Sequence, residues 1–184
     1  MPQVWQTTVL GLVALIASVS WAQAKNDWQS RHESCLNSLS GFAQDPSTVS
    51  QPDYPSDLGD VTLEYFASGC FGSCPAFTLR IRRDSAQFEG RDYVRAKGKR
   101  TAKVTQQGFE KLLHAWSDGQ FFAMRDDYCS IQCPHGTSWA VTDIPESSIT
   151  LGTSAFTKRV HECFATIDGK QETPKPPEVL RAIA

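Results

Sequence analysis

The sequence predicts an α+β fold, a mainly antiparallel sheet covered on one face by helices. Apolar and polar residues alternate over Val61–Tyr65 and again over Phe77–Ile81, as they do in half-buried strands. One later segment, residues 105–118, instead repeats its apolar residues at helical spacing. The links between the strand-like stretches are too short for parallel crossovers, so we expect mostly antiparallel pairing.

The first 24 residues have the pattern of a signal peptide. The apolar stretch Val9–Trp21 is too short to span a membrane comfortably, and the cleavage-type sequence Ala22-Gln23-Ala24 follows it. Residues 1–24 contain no Lys or Arg, which is atypical, so an uncleaved anchor remains the alternative. With cleavage, the protein is exported, periplasmic or secreted, and has no transmembrane span.

The mature chain is expected to hold two parts. Residues 25–58 form a short N-terminal helix, at about Asp27–Ser40, followed by a proline-rich strap. Residues 59–184 form a single α+β domain.

Within this domain, the order of elements follows from the residue patterns. A third strand is expected from Gln87 to about Val104, with Gly98 as a bend. Thr105 caps the main helix, which stops at Gly119. Further strands and a terminal helix follow, at Trp139–Asp143, Ser148–Gly152, Phe156–Ala165 and from Pro176-Pro177 onward.

Six cysteines lie in the mature part, and an even number in an exported chain indicates disulfides. They are Cys35, Cys70, Cys74, Cys129, Cys133 and Cys163. The segment GCFGSCPAF predicts a Cys70–Cys74 disulfide across a tight turn, where Gly69 and Gly72 allow a positive φ. For the other four, Cys129 or Cys133 is expected to pair with Cys163 or Cys35, and the sequence does not choose.

Thiol chemistry at Cys70 and Cys74 is the alternative interpretation. Cys129 and Cys133 repeat the Cys-x-x-x-Cys-Pro spacing, so two such pairs offer four thiolates to zinc, and one pair suits copper(I). A thiol–disulfide redox site usually places a helix N-terminus at its cysteines, whereas a strand pattern follows Pro75. The first interpretation is therefore a disulfide-stabilised domain with no metal or cofactor.

Several segments resemble a bacterial family of exported domains of unknown function, whose signature reads G-C-F-G-x-C-P-x-Y. In order, they are VTLEYFASGCFGSCPAFTLRI, FEGRDYV, GQFFAMRDDY, VTDIPESSITL and TKRV. The resemblance runs from about Asp60 to the C-terminus and departs from the signature at Phe77. Cys35, Cys129 and Cys133 are additions to the family pattern. The resemblance implies a domain plan and an exported setting, but no activity.

Positive charge is concentrated in one region of the sequence. Residues 80–103 hold nine Lys/Arg and three acids, a net +6 in a chain of net charge −2. We expect an anion-binding sheet surface, formed by Arg80, Arg82, Arg91, Arg95 and Lys97. Its partner would be an anionic envelope component or an acidic protein, and not nucleic acid, given the compartment. The alternative is a solvated face, or one covered by the chain's own acidic strap.

Enzyme motifs are missing from the sequence. It contains no G-x-S-x-G, no H-E-x-x-H and no phosphate loop. His161 and Cys163 alternate on one expected strand and share a side, but a disulfide would consume the thiol. We expect no catalytic residues, and the sequence favours a binding or structural domain.

Overall fold

The structure is a computed structural model, in which the chain divides between Ser38 and Leu39 into two units. The signal-peptide segment, Cys133, Asp143 and the expected terminal helix lie outside the described residues. The described residues are 27, 29–50, 58–129, 131–132, 138–139, 144–163, 166–167, 170–171, 175 and 177.

The first unit contains all but the last residue of helix α1, residues 29–39, which lies at the position that the sequence predicts. His32, Cys35 and Leu36 are its buried side chains. Their spacing of three and four residues places them on one helix face. No helix in the described part of the chain is long and apolar enough to cross a membrane.

The second unit is built on a six-stranded antiparallel sheet, which confirms the predicted α+β class. The strand order is β4-β3-β2-β1-β7-β8. The bounds are Thr62–Ala67 (β1), Ala76–Ile81 (β2), Ser85–Asp92 (β3), Gly98–Lys103 (β4), Glu146–Gly152 (β7) and Thr157–Cys163 (β8). Two pairs of two-residue strands complete the set among the described residues: β5 (Ile131–Gln132) with β6 (Ser138–Trp139), and β9 (Thr166–Ile167) with β10 (Lys170–Gln171).

The single third strand expected from Gln87 to Val104 is wrong, because this stretch folds into the β3–β4 hairpin. The chain reverses over residues 93–97, where Tyr93 takes a φ of 49° and Gly98 a φ of 78°. A left-handed backbone conformation is uncommon for tyrosine and could not be predicted at Tyr93, whereas Gly98 could be predicted as a bend. Gly90 also permits the turn, since a Cβ there would lie 2.1 Å from the Ala96 carbonyl oxygen.

Helix α2, Gln106–Asp118, packs on one face of the sheet and forms the core. Thr105 caps it as predicted, because its Oγ1 accepts a hydrogen bond from Gly108 N at 3.1 Å. At the other end, Gly119 keeps a right-handed backbone and Gln120 takes the left-handed turn, with a φ of 55°. The core side chains are Val61, Leu63, Phe109, Leu113, Trp116, Phe121, Met124, Tyr128, Ile149, Leu151 and Val160.

The free edge of β8 is covered by a short segment that follows the 3-10 helix Phe121–Ala123. Tyr128 N donates to His161 O at 2.8 Å, and His161 N donates to Asp126 O at 2.9 Å. The Tyr128 ring then enters the core, and its hydroxyl donates to Gly41 O at 2.5 Å. This pairing carries Asp127 and Cys129 to the sheet face opposite α2, here called the outer face.

Candidate functional site

The two disulfides whose cysteines are both described lie at one end of the sheet, here called the loop end. Strands β1 and β3 finish there, at Ala67 and Asp92, and β8 finishes there at Cys163. The GCFGSCP loop, residues 68–75, and the hairpin turn at 93–97 therefore extend from the same end. The topology thus brings together motifs that lie far apart in the sequence.

The GCFGSCP loop is closed by Cys70 and Cys74, whose Cα atoms are 5.4 Å apart. Of the two loop glycines, only Gly72 has a positive φ, at 151°, so the expectation for Gly69 is wrong. Gly69 instead sits close to the sheet, where an added Cβ would lie 3.8 Å from Ala76 Cβ. Phe71, between the two cysteines, is 95% exposed and makes the loop tip apolar.

A second disulfide joins Cys129 to Cys163, with Cα atoms 5.1 Å apart, and ties the edge-covering segment to β8. Cys129, and not Cys133, is therefore the partner of Cys163, which decides one of the pairings that the sequence left open. Cys35 is disulfide-bonded as well, and none of the five described cysteines is free. Cys133 lies outside the described residues.

His161 lies directly beside this second disulfide. Its Nε2 is 3.5 Å from Cys129 Sγ and 3.3 Å from Glu146 Oε2, and its Nδ1 is 3.4 Å from Asp127 Oδ1. Asp127 also accepts a hydrogen bond from Cys129 N at 2.7 Å. We call Cys129, His161, Cys163, Asp127 and Glu146 the Cys–His cluster.

Glu146 connects the Cys–His cluster to the GCFGSCP loop. Its backbone pairs with Ser68, which precedes the motif, because Ser68 N donates to Glu146 O at 2.8 Å. In return, Glu146 N donates to Ser68 Oγ at 2.9 Å. Neither Glu146 nor Asp127 stands in a recognisable motif, so neither could be predicted from the sequence as a site residue.

With the Cys129–Cys163 disulfide reduced, three ligand-type atoms of the cluster could hold a metal ion. One atom each from Cys129, His161 and Cys163 lies within 4.8 Å of the others. Cys70 and Cys74 belong to no such group of three or more within the described residues. A metal site at Cys70 and Cys74 therefore gains no additional ligand from that part of the chain.

The five predicted anion-binding residues do not share one strand face. The strand register places Arg80, Arg82 and Arg91 on the outer face, whereas Arg95 and Lys97 lie in the hairpin turn. Arg80 Nε donates to Glu64 Oε2 at 2.5 Å, and Lys97 Nζ is 3.4 Å from Asp92 Oδ1. The outer face gains three cations that the prediction did not name as site residues, Lys99, Lys103 and Arg159.

Arg91 links the outer face to the GCFGSCP loop. Its guanidinium carbon lies 5.2 Å from the centre of the Phe66 ring, and its Nη2 donates to Ala67 O at 3.5 Å. This cation–π contact holds a positive charge at the loop end.

Among the described residues, two carboxyl groups have a lowered pKa, and both belong to exposed capping residues. Hydrogen bonds from the side chain and backbone of Ser47 lower the pKa of Asp45, and those from Ser154 lower the pKa of Asp60. Asp45 begins the 3-10 helix Pro46–Thr48, and Asp60 holds the β7–β8 turn. The lowered pKa values of these two carboxyl groups therefore result from hydrogen bonds within local turns.

The fold and the site define a disulfide-linked α+β domain that carries a Cys–His cluster at one sheet end. Residues 61–176 match the family DUF6438, described as a domain of unknown function, and the chain belongs to that family. This confirms membership of a family of domains of unknown function, while the exported setting stays a prediction. A comparison with curated proteins finds no match.

Proposed function

We propose that this protein is an exported, disulfide-stabilised domain that binds anionic phospholipid headgroups, without catalysis, through its outer face and loop end. The observation that carries the proposal is the charge of the outer face. Strands β2–β4 place there the cations Arg80, Arg82, Arg91, Lys99 and Lys103.

Export is supported by the signal-peptide pattern and by the disulfides. Disulfides persist in oxidising compartments and are rare in the cytosol. Two disulfides are present among the described residues, and one of them joins cysteines that are only four residues apart in the sequence.

The cations of the outer face outnumber the acids around them. Glu64 and Glu89 are the acids on the outer face of β1–β4 in the described structure, and Glu64 is paired with Arg80. A shallow depression lined by Thr62, Arg80, Arg82, Ser85 and Gln87 presents two guanidinium groups together. Guanidinium groups bind phosphate oxygens in a bidentate geometry.

The loop end favours a lipid surface over a soluble anion. Phe71 and Tyr93 are the large apolar residues that stand exposed in the described structure, at 95% and 63%. They occupy two different loops at the same end, next to Arg91, Arg95 and Lys97. Exposed aromatic side chains beside cations match the interface of an anionic bilayer, where rings sit at headgroup depth.

Vesicle sedimentation tests this proposal. The mature protein is mixed with phosphatidylcholine vesicles that contain or lack phosphatidylglycerol, at low and at high salt. We expect binding only to the anionic vesicles, weakened by salt because surface charges are screened. Lys99→Gln should weaken binding about fivefold, since one cation near an anionic surface is worth about 1 kcal/mol.

Lys111→Gln is the matched control, because Lys111 is exposed on α2, on the other side of the sheet. It should leave binding unchanged. Equal binding to neutral vesicles, equal effects of the two substitutions, or binding to dextran sulfate without binding to vesicles would each overturn the lipid assignment.

The disulfide and export parts are tested by the intact mass of the mature protein. The protein is recovered from the producing cells and alkylated under denaturing conditions without reductant. A chain beginning at Lys25 that takes up no alkyl group supports an exported, fully oxidised domain. A chain that retains residues 1–24, or alkylation at Cys70 and Cys74, would contradict it and favour the thiol-based alternative.

A further inference from the structure

We propose that the Cys129–Cys163 disulfide conceals a zinc site, which reduction opens and which Cys129, His161, Cys163 and Glu146 then form. This goes beyond the lipid-binding function and uses none of its residues. It also differs from metal binding at Cys70 and Cys74, where the described structure brings in no third ligand.

The first argument is the composition and closeness of the ligand atoms. Cys129 Sγ, His161 Nε2 and Cys163 Sγ all lie within 4.8 Å of one another, and Glu146 Oε2 is 3.3 Å from Nε2. Two sulfurs, one imidazole nitrogen and one carboxylate oxygen form a four-ligand set that suits zinc, which binds such atoms at about 2.0–2.3 Å.

The second argument is the orientation of the imidazole. Asp127 Oδ1 lies 3.4 Å from His161 Nδ1, so an N–H at Nδ1 can donate a hydrogen bond to this carboxylate. Nε2 then directs its lone pair towards Cys129 Sγ and Glu146 Oε2, which are themselves acceptors. Zinc-binding histidines characteristically use their second nitrogen in this way, with a carboxylate as its partner.

The third argument is that the backbone fixes every ligand without a contribution from the disulfide. His161 and Cys163 alternate on β8 and so point to the same face. Cys129 is held by its N–H bond to Asp127 and by the pairing of Tyr128 and Asp126 with His161. Glu146 is held by its double hydrogen bond to Ser68. The ligand positions are therefore expected to persist after reduction.

The opening step is thiol–disulfide exchange with an external dithiol. Its thiolate attacks Cys129 Sγ, since Cys129 is partly exposed and Cys163 is only 3% exposed. The Cys129–Cys163 bond breaks, Cys163 leaves as a thiolate, and a mixed disulfide forms at Cys129. The reductant's second thiol then releases Cys129 and closes its own disulfide. Two electrons have entered the protein, and zinc binds both thiolates as their protons go to solvent.

The test is a zinc titration against a chromophoric chelator, with the mature protein before and after treatment with a phosphine reductant. A background in which Cys35, Cys70, Cys74 and Cys133 are all replaced by serine removes the competing thiols. We expect one zinc per chain after reduction and none before. In cobalt(II) substitution, the reduced protein should show thiolate-to-cobalt charge transfer and the intense visible bands of a tetrahedral site.

His161→Ala should weaken zinc binding at least about tenfold and shift the cobalt spectrum, and Asp127→Asn should weaken it about 10- to 100-fold. His114→Ala is the matched control, because His114 is exposed on α2, and it should change nothing. The proposal is overturned if reduced protein binds no zinc, or if it binds equally well after His161→Ala.

A second measurement covers the case in which the reduced protein loses its near-ultraviolet circular dichroism. Wild-type protein is reduced with zinc present throughout and then alkylated. Protection of Cys129 and Cys163, but not of Cys70 and Cys74, supports the site. Equal alkylation of Cys129 and Cys163 and of the other four cysteines, or protection that survives His161→Ala, contradicts it.

Discussion

The carboxylate of Glu146 lies 3.3 Å from His161 Nε2, although the two residues stand on neighbouring strands in diagonal positions. The residue directly opposite Glu146 is Cys163. Through its backbone, Glu146 is also bonded to Ser68, immediately before the GCFGSCP loop. One residue therefore joins the two disulfide sites of the loop end.

This relationship predicts the effect of Glu146→Gln on zinc binding. The amide keeps the backbone bonds to Ser68 but replaces the anionic oxygen beside Nε2. We expect zinc affinity of the reduced protein to fall about tenfold, while the free energy of unfolding of the oxidised protein stays within about 0.5 kcal/mol. Glu110→Gln, at a half-buried position on α2, is the control, because its carboxylate accepts a hydrogen bond from Gln106 and touches no residue of the Cys–His cluster; it should leave the zinc affinity unaltered. An unchanged zinc affinity in Glu146→Gln would remove Glu146 from the ligand set.

The two disulfides should contribute unequally to stability. They span sequence separations of 4 and 34 residues. The chain-entropy model gives about 2 kcal/mol for the short loop and about 4 kcal/mol for the long one. Urea unfolding of Cys70→Ser/Cys74→Ser should therefore show a smaller loss than that of Cys129→Ser/Cys163→Ser. The reverse order would mean that the GCFGSCP loop stabilises the sheet beyond its own closure.

Gly90 is predicted to tolerate no side chain. A Cβ there would lie 2.1 Å from Ala96 O, a backbone atom that cannot rotate away, and 2.8 Å from Val94 Cγ2. Gly90→Ala should lower the free energy of unfolding by about 1–3 kcal/mol in urea unfolding, because the hairpin must shift. Gly152→Ala is the control, since its Cβ would meet Thr157 Oγ1 at an ordinary 3.6 Å. Equal losses in the two variants would show that the hairpin adapts easily.

Tyr128 should make stability depend on alkaline pH. Burial raises the pKa of its hydroxyl above 10.0, so ionisation disfavours the folded state. The contribution of the neutral hydroxyl is complete below the unfolded pKa and is lost as pH rises through the folded pKa.

Tyr128→Phe tests this pH dependence. It should cost about 1 kcal/mol at neutral pH, because the hydroxyl bonds to Gly41 O and Arg125 N are lost. The difference from wild type in urea unfolding should then shrink as the pH rises above the ordinary tyrosine pKa of 10.0. A difference that is independent of pH would contradict the assigned pKa direction.

The sequence predicted those parts of the fold that depend on local periodicity. The alternation of Leu63 and Tyr65 with their polar neighbours predicts β1, and the apolar stripe after Thr105 predicts α2. The hairpin was missed because Tyr93 supplies the left-handed turn, and tyrosine is not a residue that signals one.

Only part of the Cys–His cluster could be predicted from the sequence. His161 and Cys163 share a strand face by period two, which local pattern reveals. Cys129 and Asp127 lie in the cluster because Asp126 and Tyr128 pair with the edge of β8, which is a long-range contact. Spacing along the chain carries no information on such a contact, so the choice of Cys129 for Cys163 needed the tertiary structure.

A substitution at Phe71 distinguishes the apolar contribution to the proposed lipid binding from the electrostatic contribution. Its side chain is 95% exposed, so Phe71→Ser removes no packing and should change the free energy of unfolding by less than about 0.5 kcal/mol. Inserting a phenylalanine ring into the bilayer interface is worth roughly 1.5–3 kcal/mol if it becomes fully buried. Vesicle sedimentation should therefore show binding at least about tenfold weaker, while binding to soluble dextran sulfate at low salt stays the same. If Phe71→Ser leaves vesicle binding intact and Lys99→Gln weakens it, attraction is electrostatic alone, and the apolar loop tip takes no part in holding the membrane.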